Sequence, residues 1–397
     1  MRRHFAFVGR NGAGHINPTL PLVAELVRRG HRVTYALEAS FAPAVRRAGA
    51  TFLDLPAGEF RHRGRSGQSA LRDASTDVVA MIADLVLAAT EYELPVLREG
   101  FAADPPDVVC YDANSLAGAM LADILGVPGI QLRPTFAANK HYTPLQEFVP
   151  DPERLAASMA AAESRVRAYT APFGITRTLG TVLSRVPGDL DVVFVPREFQ
   201  YDGDTFGDRY AFVGPSEHAR TDTGSWEPPA PGTRLLFVSL GTLMNEDPAF
   251  FRLCIEAFAG TDWQVAMAVG DRIDPARLGA VPANVDVRPS FPQLEVLRHA
   301  RVFVTHAGMN STMEAVLHRV PTVAVPQMPE QHANARRLRE LGLGTTLTDQ
   351  TAEALREAVR DVDGDDTIRK NLAGMAGSFR AAGGAGAAAD AVERLAR

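Results

Sequence analysis

The stretch ARVFVTHAGMNSTMEAVLHRVPTVAVPQ, from Ala300 to Gln327, contains an apolar run, a polar turn, a helical pattern and a second apolar run. Short apolar runs bounded by turn residues read as buried strands, and the segment between them as the crossover helix of a βαβ unit. The turn THAGMNST carries a histidine, a glycine and adjacent hydroxyls. In parallel α/β sheets such turns lie outside the carboxyl ends of strands, where ligands bind.

The same rhythm runs outward in both directions. HFAFVG leads into LPLVAELVRRG, whose Leu22, Leu26 and Val27 fit one helix face, and Gly30 stops that helix before HRVTYAL. FAPAVRRAG and TFLDLP repeat the cycle, and DVVCYD and GIQLRP bracket a helical stretch ending at Gly126. Beyond a proline- and glycine-rich stretch, LLFVSLGT opens a second series that continues through DWQVAMAVG and VDVRPS to the opening quotation. The fold expected is α/β, with two doubly wound, Rossmann-like domains and a cleft between them. Its divisions are an N-terminal domain over residues 1–214, a linker over 215–232, and a C-terminal domain over 233–378. An alanine-rich helix over 379–397 completes the chain.

A length of 397 residues exceeds one ordinary core, in keeping with two domains. The net charge of −6 gives no electrostatic case for nucleic acid or anionic lipid. Cys110 and Cys254 lie inside apolar runs and read as reduced core residues, and no spacing resembles a zinc site. MRRHFAFVGRNGAGHINP breaks at Gly9 too early for a signal peptide, and no run nears the roughly 20 apolar residues that span a bilayer. A cytoplasmic protein is expected, monomeric or homodimeric, without integral membrane contact. Residues 57–76, rich in Gly, Ser and Arg, read as a surface loop open to substrate contact.

Four strand-to-helix junctions carry unusual polar groups. His15 follows the first strand in GHINP, and Asp112 ends DVVCYD in the same domain. A carboxylate bonded to one imidazole nitrogen orients the ring and supports the cation formed when the other nitrogen takes a proton. A lone histidine can equally cap or pack locally. In THAGMNSTMEA, Gly308 lets the backbone approach a ligand, Ser311 and Thr312 offer hydroxyls, and a helix N-terminus favours phosphate. His306 is a further donor there, and Glu314 suits paired hydroxyls such as those of a ribose. An ordinary cap at Ser311 or Thr312 would account for one hydroxyl only. The third junction is SLGT, Ser239–Thr242. The fourth is VPQMPEQHANA, whose Glu330, Gln331 and Asn334 suit sugar hydroxyls. No Walker sequence appears, and GRNGAG departs from the GxGxxG fingerprint. DVDGDD, Asp361–Asp366, lacks calcium-loop order and reads as a turn between helices. The cationic role near phosphate then falls to the helix N-terminus and His306.

GHINPTLPLVAELVRRGHRVTY, FVGP, FVSLGT and the block from PQLEVLRHARVFVTHAGMNSTMEA to VPQMPEQHANA together resemble the UDP-glycosyltransferase superfamily. The likeness is to its natural-product members, above all the bacterial macrolide-type enzymes, and covers nearly the full chain. It implies a GT-B fold, with acceptor held by the first of two facing domains, nucleotide sugar by the second, and a final helix packing back on the first. It also implies metal-independent, inverting transfer, with His15 as base and Asp112 as its partner. Thr242, His306, Ser311 and Thr312 would hold the diphosphate, with Gly308 and Asn310 in the same turn. Glu314 would bind ribose, Gln293 the base, and Glu330 with Gln331 the sugar.

The donor implied is a UDP-sugar, UDP-glucose by preference, and no resident cofactor or metal is needed. The acceptor implied is a large apolar molecule such as a macrolide, ansamycin or polyphenol, glycosylated in biosynthesis or for antibiotic inactivation. Phe136, Tyr142 and Phe148 are candidate acceptor walls. One departure stands out: the family's base-stacking tryptophan is replaced by Ser290, followed by Phe291 as a candidate substitute. Loss of a stacked indole removes about 0.5–1.5 kcal/mol beyond area burial, by analogy with aromatic pairs. Two other readings keep the fold: a nucleotide-sugar epimerase, against which the acceptor-competent motif series argues, and a non-catalytic auxiliary protein, against which His15 argues.

Overall fold

The computed structural model describes residues 2–55, 77–175, 188–216, 226–241 and 248–396. The apolar runs pair into two separate, wholly parallel sheets. The first joins β1 (His4–Val8), β2 (Arg32–Leu37), β3 (Thr51–Asp54), β4 (Val108–Asp112), β5 (Gly129–Arg133), β6 (Leu190–Val193) and β7 (Tyr210–Phe212). Their order is β3-β2-β1-β4-β5-β6-β7. The second joins β8 (Arg234–Ser239), β9 (Trp263–Ala268), β10 (Val285–Arg288), β11 (Val302–Thr305), β12 (Thr322–Ala324) and β13 (Gly344–Thr346). Their order is β10-β9-β8-β11-β12-β13.

The direction in which strands are added reverses once in each sheet, between β1 and β4 and between β8 and β11. The register there brings Val8 beside Tyr111, and Ser239 beside Thr305. These are the topological switch points at which open α/β sheets bind ligands.

Both sheets are buried on both faces, which parallel strands require. In β1, Phe5 and Phe7 enter one apolar cluster with Leu22, Val23 and Leu26, while Ala6 and Val8 enter another on the opposite face. In β8, Leu235 and Phe237 face one cluster while Leu236 and Val238 face the other. The helix Leu20–Arg28 buries Leu22, Val23 and Leu26, and Val27 packs partly buried against the same cluster. The expected face is therefore present, with Val23 widening it.

The chain folds as two compact units, Met1–Ala219 with Ala382–Arg397, and Arg220–Ala381. The helix Asp366–Ala381 runs past residue 378, and the chain leaves the second unit after Ala381. In the first unit, the helix Gly384–Leu395 inserts Ala388, Ala389 and Val392 into the cluster around Phe5 and Leu22. Arg29 ties it down through Asp390 at 2.6 Å and Glu393 at 2.9 Å.

The acidic run Asp361–Asp366 is mostly helix, where a turn was expected. Asp361–Gly364 finish the helix Ala352–Gly364, and Asp365 alone separates it from the next. Asp363 is buried and gathers Arg234 at 2.9 Å, Arg369 at 3.0 Å and Arg301. That ion cluster explains an aspartate on an inward helix face. The loop at 57–76 lies outside the described residues. Among the described residues no helix is long and apolar enough to cross a membrane.

Candidate active site

In the first unit, β1 delivers the chain to a short helix, Ala13–Ile16, whose buried Ile16 anchors it. His15 stands half-buried on that turn, and its Nδ1 lies 2.7 Å from Oδ2 of Asp112 at the end of β4. Adjacent strands at the switch point thus bring together two residues 97 positions apart. The other Asp112 oxygen, Oδ1, accepts the backbone N–H of Asn114 at 2.9 Å. Burial alone would push the Asp112 carboxyl up. The His15 charge and hydrogen bond, the Asn114 N–H and the Arg10 charge outweigh it and hold the group below its usual range. An ionised carboxylate fixed on Nδ1 leaves Nε2 as the nitrogen able to take a proton.

Two charged residues join this neighbourhood that sequence reasoning missed. Arg10 follows β1, in the glycine-rich loop GRNGAG. Glu93 lies half-buried on the helix Val78–Gly100. Burial first, then the Asp112 charge against the opposing pull of Arg10, raises the Glu93 carboxyl to about 7. No motif spacing could have paired them, because only the fold brings that helix beside β1 and β4.

The expected acceptor walls are corrected by packing. Phe136 and Tyr142 are buried in one aromatic group with Phe199 and Tyr201, with ring centroids 5.1–5.9 Å apart. Phe148 packs partly buried against the core beside Leu145 and Val149. Phe136 and Tyr142 therefore support the first unit from within and present no open wall.

In the second unit, β11 ends at Thr305 and the helix Met309–Leu317 begins after Gly308, with no side-chain cap. Neither Ser311 nor Thr312 caps it, since both lie inside the helix. The first-turn N–H groups of Met309, Asn310 and Ser311 precede the first helical bond, from Thr312 N–H to Gly308 C=O at 2.9 Å. Such a terminus suits an anion.

His306 packs between two glycines. A Cβ on Gly308 would stand 2.4 Å from its Nε2, and one on Gly241 would stand 2.7 Å from Cε1 and Nε2. Gly308 is thus needed for ring clearance, whatever its closeness to a ligand. Burial pulls the His306 pKa to about 4, against an opposing backbone interaction at Ser239. The ring is neutral near pH 7, which removes it from the cationic role expected beside a phosphate. A neutral imidazole carries a single N–H, and the Ser239 backbone interaction engages it.

Gln293, Ser311 and Glu314 are brought together, but onto one another: Gln293 Nε2 donates to Ser311 Oγ at 3.2 Å and to Glu314 Oε2 at 2.5 Å. Thr312 is fully buried, and its Oγ1 has no partner among the described residues, so it offers no open hydroxyl. Gln331 Oε1 accepts the backbone N–H of Gln327 at 2.8 Å, fixing the start of the helix Pro329–Glu340 beside half-exposed Glu330. Asn334 is fully buried and its Nδ2 donates to Ala307 C=O at 2.8 Å, so its amide does not face solvent.

Phe291 turns inward against Phe237 with the Arg288 guanidinium over its ring, so it cannot replace the missing tryptophan as a stacking surface. Ser290 is exposed in that place. Thr242 lies outside the described residues.

Residues 252–391 match the family described as Erythromycin biosynthesis protein CIII-like, C-terminal domain. The sequence is 38% identical to demethyllactenocin mycarosyltransferase of Streptomyces fradiae, over 99% of this chain and 86% of that protein. The NDP-glycosyltransferase YjiC of Bacillus licheniformis is also 38% identical, with 98% of this chain and 97% of that protein covered. Among solved structures, the calicheamicin glycosyltransferase is 34% identical and superimposes with a TM-score of 0.85, over 99% of this chain and 98% of that one.

Proposed function

The chain belongs to the macrolide-type, natural-product glycosyltransferases, and from that premise we propose that it transfers glucose from UDP-glucose to a hydroxyl of a large apolar natural product. The observation that carries the chemistry is the 2.7 Å bond between His15 Nδ1 and Asp112. Nε2 of His15 takes the proton of the acceptor hydroxyl, and ionised Asp112 stabilises the imidazolium that results. The acceptor oxygen forms its new bond to the anomeric carbon from the face opposite the nucleoside diphosphate. The bond to the diphosphate breaks, the departing oxygen keeps the electron pair, and an α-linked donor becomes a β-glycoside.

The second unit supplies the donor side. First-turn N–H groups of Met309–Leu317 hold the diphosphate, and neutral His306 exchanges its Ser239 partner for a diphosphate oxygen. Gln293, Ser311 and Glu314 exchange their mutual bonds for bonds to the nucleotide. Glu330 and Gln331 reach the sugar hydroxyls. No metal is assigned a step.

An acceptor of macrolide, ansamycin or polyphenol type fits the relatives, whose names carry demethyllactenocin and calicheamicin. Glycosylation of such a molecule serves its biosynthesis or its inactivation as an antibiotic, by the same reaction in the cytoplasm.

The test is incubation with UDP-glucose and a panel of macrolides, ansamycins and polyphenols, read by mass spectrometry for a gain of one hexose. Parallel reactions with dTDP-glucose test the base. Hexose transfer from dTDP-glucose alone would overturn the uridine assignment, and hydrolysis or epimerisation without transfer would overturn the acceptor assignment.

A further inference from the structure

Building on the donor reading above, we propose that Asn334 is a positioning residue for donor binding: it holds Ala307 in the left-handed backbone conformation that sets the helix Met309–Leu317 at its entry angle. Two residues set the geometry of the turn between β11 and that helix. Ala307 has φ +59°, a region costly for any residue with a Cβ, while Gly308 is extended at φ −63° and ψ 145°. The usual arrangement would put the glycine in the left-handed position. Here the glycine is committed to its neighbour, because a Cβ at 308 would meet the His306 ring at 2.4 Å. The left-handed residue therefore falls on an alanine, which needs to be held from outside.

The holding groups are side chains at both ends of the residue. Thr305 Oγ1 accepts the Ala307 N–H at 3.3 Å, and Asn334 Nδ2 donates to the Ala307 carbonyl at 2.8 Å. Asn334 is fully buried, and its Oδ1 has no partner among the described residues. An amide buried with half its hydrogen-bonding capacity unused is a poor core residue, and an apolar side chain of that size would pack at lower cost. Its one bond, to a strained carbonyl, is what the position gains. If Ala307 rotates out of the left-handed region, Gly308 and the first-turn N–H groups swing with it. The binding-competent turn then becomes a minor population, and apparent affinity falls by that fraction.

The experiment is calorimetric titration of UDP, without acceptor, into the full-length wild type, Asn334→Ala, Ala307→Gly and the double variant. Asn334→Ala is expected to weaken UDP binding about tenfold to a hundredfold. Glycine adopts the left-handed conformation unaided, so adding Asn334→Ala to Ala307→Gly is expected to cost less than about threefold. A merely structural asparagine would lower the thermal midpoint but would not be rescued in affinity by a glycine on another element. Equal losses in both backgrounds overturn the proposal, as does unchanged affinity in Asn334→Ala. Should Asn334→Ala fail to fold, a folded double variant that binds UDP like Ala307→Gly supports it. A double variant that also fails to fold assigns Asn334 to the core and overturns it. Wild-type protein that binds no UDP removes the donor reading itself, and this inference with it.

Discussion

Each half of the molecule places a histidine just past a strand at its sheet's switch point, and the two are built for different work. His15 is half-exposed and bonded through Nδ1 to a buried, ionised aspartate. His306 packs between glycines with no carboxylate partner among the described residues, and burial holds it neutral to about pH 4. Position in the fold is shared, and environment separates the roles. A ring with a fixed anion behind it is prepared to accept a proton. A ring without one is prepared to stay neutral and donate a single hydrogen bond. The same logic sorts the acidic groups: Asp112 is held below the usual carboxylate range, whereas Glu93 nearby is raised to about 7.

The largest effect that would break the comparison falls on the first histidine. His15→Ala is expected to lower turnover by about 10²–10⁴-fold, the usual worth of a positioned general base. Asp112→Asn should follow closely, because it removes the anion and invites the wrong tautomer. Steady-state kinetics on any accepted substrate checks both, and an Asp112→Asn enzyme at wild-type rate would leave the pair without a catalytic purpose.

The second histidine is expected to show itself in stability. Its folded pKa of about 4 lies below the ordinary value of 6.5. Its contribution is therefore fully present above pH 6.5 and is lost as pH falls toward 4. Discounted for the exposed part of the ring, the stability at stake across that range is about 2–3 kcal/mol. Urea unfolding of wild type and His306→Gln over the same pH values should show a steeper acid loss in wild type. Parallel curves would contradict the buried, neutral assignment.

Ring clearance comes next. Gly308→Ala and Gly241→Ala each drive a Cβ into the His306 ring, and each should cost about 1–3 kcal/mol of stability. His306→Ala in the same background should return part of that loss, a coupling visible in a double-mutant cycle.

Glu93 is expected to act on stability with the opposite pH dependence. Its carboxyl favours the protonated form in the folded protein, so its stabilising contribution is present below pH 4.5 and lost as pH rises through about 7. Glu93→Gln is expected to raise the thermal midpoint at about pH 8.5 and leave it unchanged at about pH 4.5, on either side of that titration. Equal midpoints at both values would mean the carboxyl is well solvated.

Much of this architecture is legible in the sequence. The strands announce themselves because a sheet buried on both faces needs unbroken apolar runs, as in HFAFV and RVFVT. His15 and Asp112 are legible because each stands at a strand end, and strand ends in parallel sheets converge. Side-chain direction is not. Phe291 has the right chemistry for stacking, but one position along the turn separates an exposed Ser290 from a ring packed on Phe237. Asn334 has the right chemistry for a sugar ligand, yet lies one helical turn beyond Glu330 on the inward face. Asp363 reads as a turn residue until Arg234 and Arg301 arrive from distant parts of the chain and Arg369 from the next helix. Arg10 and Glu93 carry no pattern, and only tertiary structure places their charges beside Asp112.

The division of labour between the two histidines is tested most directly by measuring two quantities on one variant, His15→Ala. Turnover and calorimetric UDP affinity are compared with wild type under identical buffer. Turnover is expected to fall by about 10²–10⁴-fold while UDP affinity stays within about twofold of wild type. Wild-type turnover in His15→Ala, or a loss of UDP affinity that matches the loss of rate, would contradict that division.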